Sequence, residues 1–330
     1  MKGKPFISNN AFAEQAYLMR KVAVKAPATI ANFGPGYDTF GLCLSTPYDI
    51  IEAELSDKKG IVITQKRIGK EPLRGPWRIP TDPRRNTAGV AAGELLRLSG
   101  KRTGLHITIT KGISAGSGLG SSAASAVGGA LATAELIGVN NRKMILAASA
   151  KGEAVSSGAP HLDNVSPCLF GGFTVVIDHE KLDVIKIVPP KMRIVICQPD
   201  IVIETYRARK LIPEHVPTRI SIAHSSWASG IVHGMKSGDV ELIARCLQDE
   251  IAVPARKKLI KGFDKVRRAA LDAGALTFSI SGSGPAVYSL ALSNHSRIGE
   301  AMVEAFEKVG VKADFFVSKP GDGAKVIEKE

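Results

Sequence analysis

From residue 22 onward, short apolar runs of strand period are interleaved with longer runs of helical period. Alternating or continuous apolar stretches at 22–25, 48–55, 60–67 and 104–109 predict strands, and the runs at 87–98, 121–137 and 141–156 predict helices between and after them. A further strand is expected from Phe173 to Ile177. The charged, proline-bearing stretch DHEKLDVIKIVPPK that follows reads as a link, with a domain boundary near 180–191. Beyond it the pattern predicts strands at 192–197, 276–280, 286–292 and 313–317, and helices at about 218–235, 239–248, 261–273 and 296–308. Strand and helix mix in both halves, so the fold is α+β or α/β. A chain of 330 residues can bury two ordinary cores.

The pattern breaks at residues 116–125, GSGLGSSAAS. This stretch lies between the strand LHITI, Leu105 to Ile109, and a small-residue helix beginning at Ser121. A loop that opens a helix presents unpaired N–H groups where the helix dipole also favours negative charge, so anions bind there. Gly116, Gly118 and Gly120 allow turns closed to other residues, and Ser121 and Ser122 add hydroxyls for a phosphate oxygen or a magnesium ion. The plainer alternative is a serine-capped helix start with a tight glycine turn. A Walker loop is excluded, because no Gly-Lys-Ser/Thr tripeptide occurs. A dinucleotide fingerprint is excluded as well, because residue 121 is serine and Glu135 sits inside a helical pattern. The loop is therefore another kind of nucleotide cradle or a structural turn.

Charge adds a second question. A formal net charge of +13 raises nucleic-acid binding, yet the lysines and arginines are scattered. Clusters such as Lys265, Arg267 and Arg268 are short, and the few aromatics form no evident stacking face. A solvated basic surface that attracts small anions is the more economical reading, with an RNA-binding module as the non-enzymatic alternative. No apolar stretch is long enough to span a membrane. The N-terminal segment MKGKPFISNNAFAEQAYLMRK lacks the apolar core of a secretory signal and reads as a flexible or partner-binding extension, with a short targeting peptide, to which its shortage of acids points, as the alternative. Cys43, Cys168, Cys197 and Cys246 are far apart in sequence, which suggests reduced thiols in a cytoplasmic protein.

Two more polar loops complete the picture. In APATIANFGPGYDTFGLCL, residues 26–44, Asn32, Gly34, Gly36 and Asp38 place an amide and a carboxylate on a turn-rich loop that could grip a small polar ligand. The alternative there is a glycine turn with Asn and Asp as turn formers. The other loop is SISGSGPAVY at 279–288. Together with GSGLGSSAAS, in this order and at these separations, the segments resemble the GHMP small-molecule kinases. Within that superfamily ATIANFGPGYDTFGL, HLDNVSPCLFGGF at 161–173, TYRARKLIP at 205–213 and PARKKLIKGF at 254–263 resemble the homoserine kinases. The resemblance covers about residues 22 to 320. It implies a two-domain α+β GHMP kinase fold, with an ATP-binding, ribosomal-protein-S5-domain-2-like domain over 22–185 and a ferredoxin-like α+β domain over 186–330. Residues 1–21 remain outside as an extension. It also implies ATP-dependent phosphorylation of the L-homoserine hydroxyl to O-phospho-L-homoserine, on the route to threonine.

The resemblance assigns roles that must make chemical sense. Gly116, Ser117, Gly118, Leu119, Gly120, Ser121 and Ser122 would cradle the triphosphate of ATP. Ser122 and Glu153 match the family's magnesium ligands, with water and phosphate completing the octahedron that Mg²⁺ demands; otherwise Glu153 is a helix-surface carboxylate. Lys111 could neutralise phosphate charge or be a solvated loop lysine. Asn86 falls near the adenine pocket or caps the helix beginning near Thr87. Arg209 and Arg256 would bind the substrate carboxylate with paired donors. Asp38, Asn32 and Asn164 would receive the ammonium and orient the hydroxyl, and Thr205 would lie near the reacting oxygen. For the arginines the alternative is surface ion pairing. Arg207 competes with Arg209, but Ala208-Arg209…Leu211…Pro213 fits the family pattern.

The proton acceptor is the open point. Mevalonate kinases use an aspartate whose counterpart would be Asp163, whereas the homoserine kinase pattern points Asn164 at the substrate and dispenses with a carboxylate base. A loose transition state needs little early deprotonation, so direct transfer is expected and Asp163 is read as structural, capping a helix that starts near Val165. Ser114 replaces a proline that usually opens the loop, and Val253 replaces a glutamate that often precedes the Pro-x-Arg segment. The other readings are a mevalonate- or sugar-type GHMP kinase with Asp163 as base, a nucleotide-dependent oxidoreductase, and the RNA-binding module. The expected partners are ATP and L-homoserine, without membrane or nucleic acid, and a homodimer is allowed.

Overall fold

The structure is a computed structural model that describes residues 20–67 and 79–330. Nearly all of the N-terminal extension lies outside the described residues. The strand expected at 22–25 is the beginning of a longer one, β1 (Lys21–Ala31), and the chain returns antiparallel as β2 (Phe40–Ser56). Only residues 32–39 of the presumed long loop are irregular. The alanines of APATIA let the strand continue, because they leave room on a surface covered by helix. β3 (Ile61–Arg67) follows, then α1 (Thr87–Ser99), β4 (Gly104–Lys111), α2 (Ser121–Leu136), α3 (Arg142–Ser157) and α4 (Leu162–Phe170). Asn86 caps α1, accepting from the backbone N–H groups of Ala88 and Gly89 at 3.0 and 3.1 Å.

β5 (Phe173–Asp178) and β6 (Asp183–Ile187) form a hairpin. The stretch read as a charged link is thus mostly a strand and its turn: the charges of DHEK fill the turn, and VIKI supplies the second strand. The first sheet has the order β11-β1-β2-β4-β3, where β11 is the last strand, Lys325–Lys329, and β5 pairs with the start of β2. Its helical face is occupied by α2, which packs on β1 and β2 and is buried on nearly every side between the sheet, α1 and α3. This explains the small-residue composition of α2. Ile51 of β2 fills the space where Gly128 has no side chain.

The second sheet takes the order β10-β7-β9-β8, from β7 (Arg193–Pro199), β8 (Ser279–Ile280), β9 (Val287–Ala291) and β10 (Ala313–Ser318). Between β7 and β8 come α5 (Thr205–Arg209), α6 (Thr218–Ser237), α7 (Val240–Cys246), α8 (Ala252–Arg256) and α9 (Phe263–Asp272). α10 (His295–Glu307) precedes β10, and α9 and α10 cover one face of this sheet through Val266, Ile298, Met302 and Phe306. The opposite face turns Ile194, Ile196, Tyr288 and Leu290 into the first core. α6 and α7 join that first core, through Ile231, Met235 and Ile243.

β11 (Lys325–Lys329) crosses back to pair with β1. The chain passes from the first sheet to the second between the end of β6 at Ile187 and the start of β7 at Arg193, and its last strand returns to the first sheet. No helix among the described residues is long and apolar enough to cross a membrane.

Candidate active site

The glycine loop leaves β4 and enters α2 with Gly116, Gly118 and Gly120 all at positive φ, between 68° and 82°. Gly120 is the N-cap of α2 and offers no side-chain cap, so the first N–H groups of this helix are open to a ligand. The absence of side chains also sets how tightly the loop is held. A Cβ on Gly118 would lie 2.6 Å from the Ser281 carbonyl, and one on Gly120 would lie 2.1 Å from Thr29 Oγ1. Ser281 donates to the Gly118 carbonyl at 2.6 Å, the Ala286 N–H to Ser117 O at 3.0 Å, and the Thr29 N–H to Leu119 O at 3.1 Å. The three polar loops singled out in the sequence thus meet. They line one cavity of about 720 Å³, whose walls include Gly116, Ser117, Gly120, Ser122, Glu153 and Thr205.

Lys111 is not a solvated loop lysine. Its side chain is fully buried, and its ammonium pairs with Asp49 of β2 and donates to Ser121 Oγ at 2.7 Å and Ser125 Oγ at 3.3 Å. The other Asp49 oxygen accepts the N–H groups of Gly112 and Ile113 at 2.9 and 3.0 Å. The lysine charge is spent beneath the loop, fastening its entry and the first turn of α2. Ser121 is engaged there too: its hydroxyl donates to Ile113 O at 3.0 Å. Of the two serines, only Ser122 is turned toward the carboxylate on the facing helix, with Oγ donating to Glu153 Oε1 at 2.9 Å. Glu153 is buried in α3, not on a helix surface.

A charged relay runs from Glu153 across the cavity. His161 Nδ1 lies 3.5 Å from Glu153 Oε1, and its Nε2 lies 3.0 Å from Arg209 Nη1. Arg209 Nη2 donates to Asp38 Oδ2 at 2.6 Å, and the backbone N–H of Asp38 donates to Asn32 Oδ1 at 2.9 Å. Burial would lower the His161 pKa, but the Glu153 hydrogen bond and the charge of Asp163 raise it above the usual histidine value. Sequence reasoning missed His161. Its only local signal was a histidine opening the HLDN segment two residues before Asp163.

Asp163 does not cap a helix. α4 begins at Leu162, and Asp163 lies in its first turn with Oδ2 accepting the Asn32 N–H at 3.3 Å. Its Oδ1 has no hydrogen-bond partner among the described residues, although the side chain is buried in the cavity wall. Burial, reinforced by Asp38 and opposed by His161, pushes its pKa up to about 7. A proton is therefore bound more tightly in the folded than in the unfolded chain, where the ordinary value is 3.8. The resulting stabilisation is complete below about pH 4 and is lost as pH rises through 7. Asp163→Asn should accordingly gain melting temperature over the parent at pH 8 and lose that advantage at pH 5. A difference independent of pH would remove the buried-carboxyl interpretation.

The remaining candidates also face the cavity. Arg256 is buried and donates to the carbonyls of Gly282 at 2.8 Å and Ala208 at 3.4 Å, and its guanidinium lies over the Tyr37 ring, 5.3 Å from the centroid. With Val253 where a glutamate was expected, carbonyls and a ring orient this arginine. Its burial lowers its pKa from the ordinary guanidinium value. Thr205 Oγ1 lies 3.3 Å from Ser283 Oγ, a second hydroxyl not singled out from sequence. Asn164 Oδ1 accepts from Thr29 at 2.7 Å, and no described group bonds its Nδ2. Asn86 reaches the cavity wall while serving as the cap of α1.

The family model described as GHMP kinases N terminal domain matches residues 86–172, and the one described as GHMP kinases C terminal matches 231–308. A curated relative from Pyrococcus horikoshii, named homoserine kinase, is 42% identical over 305 residues, 92% of this chain and 99% of its own. The chain belongs to the GHMP kinases. A solved structure of a homoserine kinase from Cytophaga hutchinsonii superposes with a TM-score of 0.86 at 37% identity, covering 98% of this chain and all of its own. L. major mevalonate kinase, solved with R-mevalonate, superposes at 0.68 with 15% identity over 90% of this GHMP kinase and 95% of its own chain, a likeness of fold alone. The two-domain, mixed helix and sheet fold is that of the family, and a GHMP kinase takes ATP with a divalent cation.

The residues present fit such a cation. Among the described residues no three His, Cys, Asp or Glu side chains form a metal cage. Ser122 and Glu153 offer two hard oxygens beside the open end of α2, the arrangement a cation needs when phosphates and water supply its other ligands.

Proposed function

We propose that this GHMP kinase transfers the terminal phosphoryl group of ATP to the hydroxyl of L-homoserine, giving O-phospho-L-homoserine, in the cytoplasm and in threonine biosynthesis. The observation that carries this reading is the charge pattern beside the phosphate loop. Asp38 and Arg256 line the cavity that also holds the loop, and the Arg209 guanidinium pairs with Asp38 from behind that lining, 2.6 Å away. A zwitterionic amino acid with a short hydroxyl arm matches that pattern. Mevalonate and sugars carry no ammonium for Asp38. ADP release measured with homoserine, mevalonate and galactose, beside NAD(P)H oxidation and RNA retention at physiological salt, separates this reading from its rivals.

The assigned roles follow from chemistry. The open N–H groups of the loop and α2 bind the phosphates of ATP, and Asn86 lies toward the base. Ser122 and Glu153 hold Mg²⁺, which when bound neutralises phosphate charge. Arg209 and Arg256 bind the substrate carboxylate. Asp38 and Asn32 receive its ammonium, while Asn164 Nδ2 and Thr205 orient the hydroxyl. The His161 contacts hold Glu153 and Arg209 in register. Glu153→Gln and Ser122→Ala should each lower kcat at least about tenfold, roughly 1.4 kcal/mol of barrier, without loss of fold. Turnover and magnesium dependence equal to the parent in both variants would take these residues out of the site.

Phosphoryl transfer proceeds directly, with the proton leaving through phosphate or water. The unpartnered Asp163 Oδ1 and the pKa near 7 favour a second reading, in which Asp163 takes the hydroxyl proton as in mevalonate kinases. Direct transfer is preferred because positioning and electrostatics carry a loose transition state. A folded Asp163→Asn protein should keep activity within about one order of magnitude. A loss of about a hundredfold or more would establish the base reading instead.

A further inference from the structure

A second cleft, of about 680 Å³, lies where the two sheets meet, away from the phosphate loop. Its walls carry Lys25, Lys191, Arg193, Lys319 and Lys325, and one carboxylate, Asp322. These cations come from separate parts of the chain: β1, the segment before β7, the start of β7, the loop after β10, and β11. None of the five forms an ion pair with a described carboxylate, although basic side chains elsewhere on the surface do, as Lys21 with Glu52 and Arg219 with Glu250. Five cations from separate elements thus line one cleft.

The strand register sharpens the point. Lys25 and Lys325 are direct cross-strand partners on antiparallel β1 and β11, and both line the cleft. Like charges opposite one another destabilise a strand pair. The ammonium of Lys25 rests 3.8 Å from the centroid of the Tyr48 ring, which relieves part of the repulsion, but no carboxylate joins the two. α10 begins at the cleft lining, with His295, and has no side-chain cap and no acidic residue in its first turn, so its positive end adds to the same field. Pro27, Leu44 and Met192 supply apolar lining to the same cleft.

We propose that this cleft is a binding site for a small organic phosphate with an apolar or aromatic body. A dianionic head would settle the Lys25–Lys325 repulsion and take Arg193 as a two-donor partner. The body would pack on the apolar lining. Bare inorganic phosphate satisfies only the first half of that chemistry, and an aryl carboxylate only the second.

The probes are 1-naphthyl phosphate, inorganic phosphate and 1-naphthoate, titrated at low salt by calorimetry and by naphthyl fluorescence into the full chain and into Arg193→Ser/Lys325→Ser. Binding at the phosphate loop, if present, is common to both proteins and cancels in the comparison. The parent should show a saturable naphthyl phosphate component that weakens at least about tenfold in the variant, and tighter binding of naphthyl phosphate than of either other probe by about the same factor. Lys191→Ser/Lys319→Ser, at two other lining positions, should weaken the same component and serves if the first variant does not fold. Identical titrations of parent and variants, only non-saturable binding, or equal affinity for naphthoate would overturn the proposal.

Discussion

Lys111→Met should lower the free energy of unfolding by about 3–5 kcal/mol, the cost of leaving a buried carboxylate without its counter-ion. Asp49 is fully buried, and with the lysine gone its carboxylate keeps only the N–H groups of Gly112 and Ile113 and the Ser125 hydroxyl. The loss should appear as a lower urea midpoint with an unchanged slope. Replacing both partners, in Asp49→Leu/Lys111→Met, should cost less than the sum of the single changes, because the second removes a charge that the first left stranded. The outcome also decides between two roles for this lysine. A lysine that contacts ATP directly would raise the KM for ATP and leave stability within about 1 kcal/mol. A structural pair under the loop would do the reverse for stability and disturb ATP binding only through the loop.

Arg209→Leu should raise the KM for homoserine about a hundredfold or more and leave that for ATP within a few-fold. The guanidinium holds three of its contacts on Asp38 and His161, and a guanidinium has further donors to turn toward a carboxylate. Removal leaves Asp38 without its 2.6 Å partner and the substrate carboxylate without a charge-assisted pair, each worth about 1.5–3 kcal/mol. Arg209→Lys should recover little, since a point charge does not reproduce two parallel donors. The matched substrate experiment removes the other half of the pair: 3-aminopropan-1-ol, homoserine without its carboxylate, should be a very poor acceptor. An unchanged homoserine KM in Arg209→Leu would show that this arginine does not read the carboxylate.

These two residues mark where the sequence was legible and where it was not. The glycine loop could be read because strand, glycines and helix follow one another locally, and the structure gives Gly116, Gly118 and Gly120 the positive φ that such a loop demands. Lys111 was placed correctly at a strand end, but nothing local shows that Asp49, 62 residues earlier, lies beside it across the β2–β4 pairing. His161 was hidden for the same reason, since its significance comes from Glu153 on α3 and Arg209 on α5. Among the elements, α5 spans five residues, too few to display a helical period. β6 was obscured by the charges of its own turn. β11 was missed because its partner is the first strand of the chain, a pairing that no window of sequence contains. Asp163 was misread as a cap because the start of α4 falls at Leu162, three residues earlier than the apolar pattern places it.

The most direct test of the account is acceptor preference, measured as kcat/KM for Mg·ATP-dependent ADP release with L-homoserine and with mevalonate, and with the phosphorylated product located by ³¹P NMR. Asp38, Arg209 and Arg256 together predict O-phospho-L-homoserine as the product and a preference of about a hundredfold or more, some 2.7 kcal/mol of discrimination. Equal or better turnover of mevalonate, or ADP release with no phosphate on the homoserine oxygen, would contradict it.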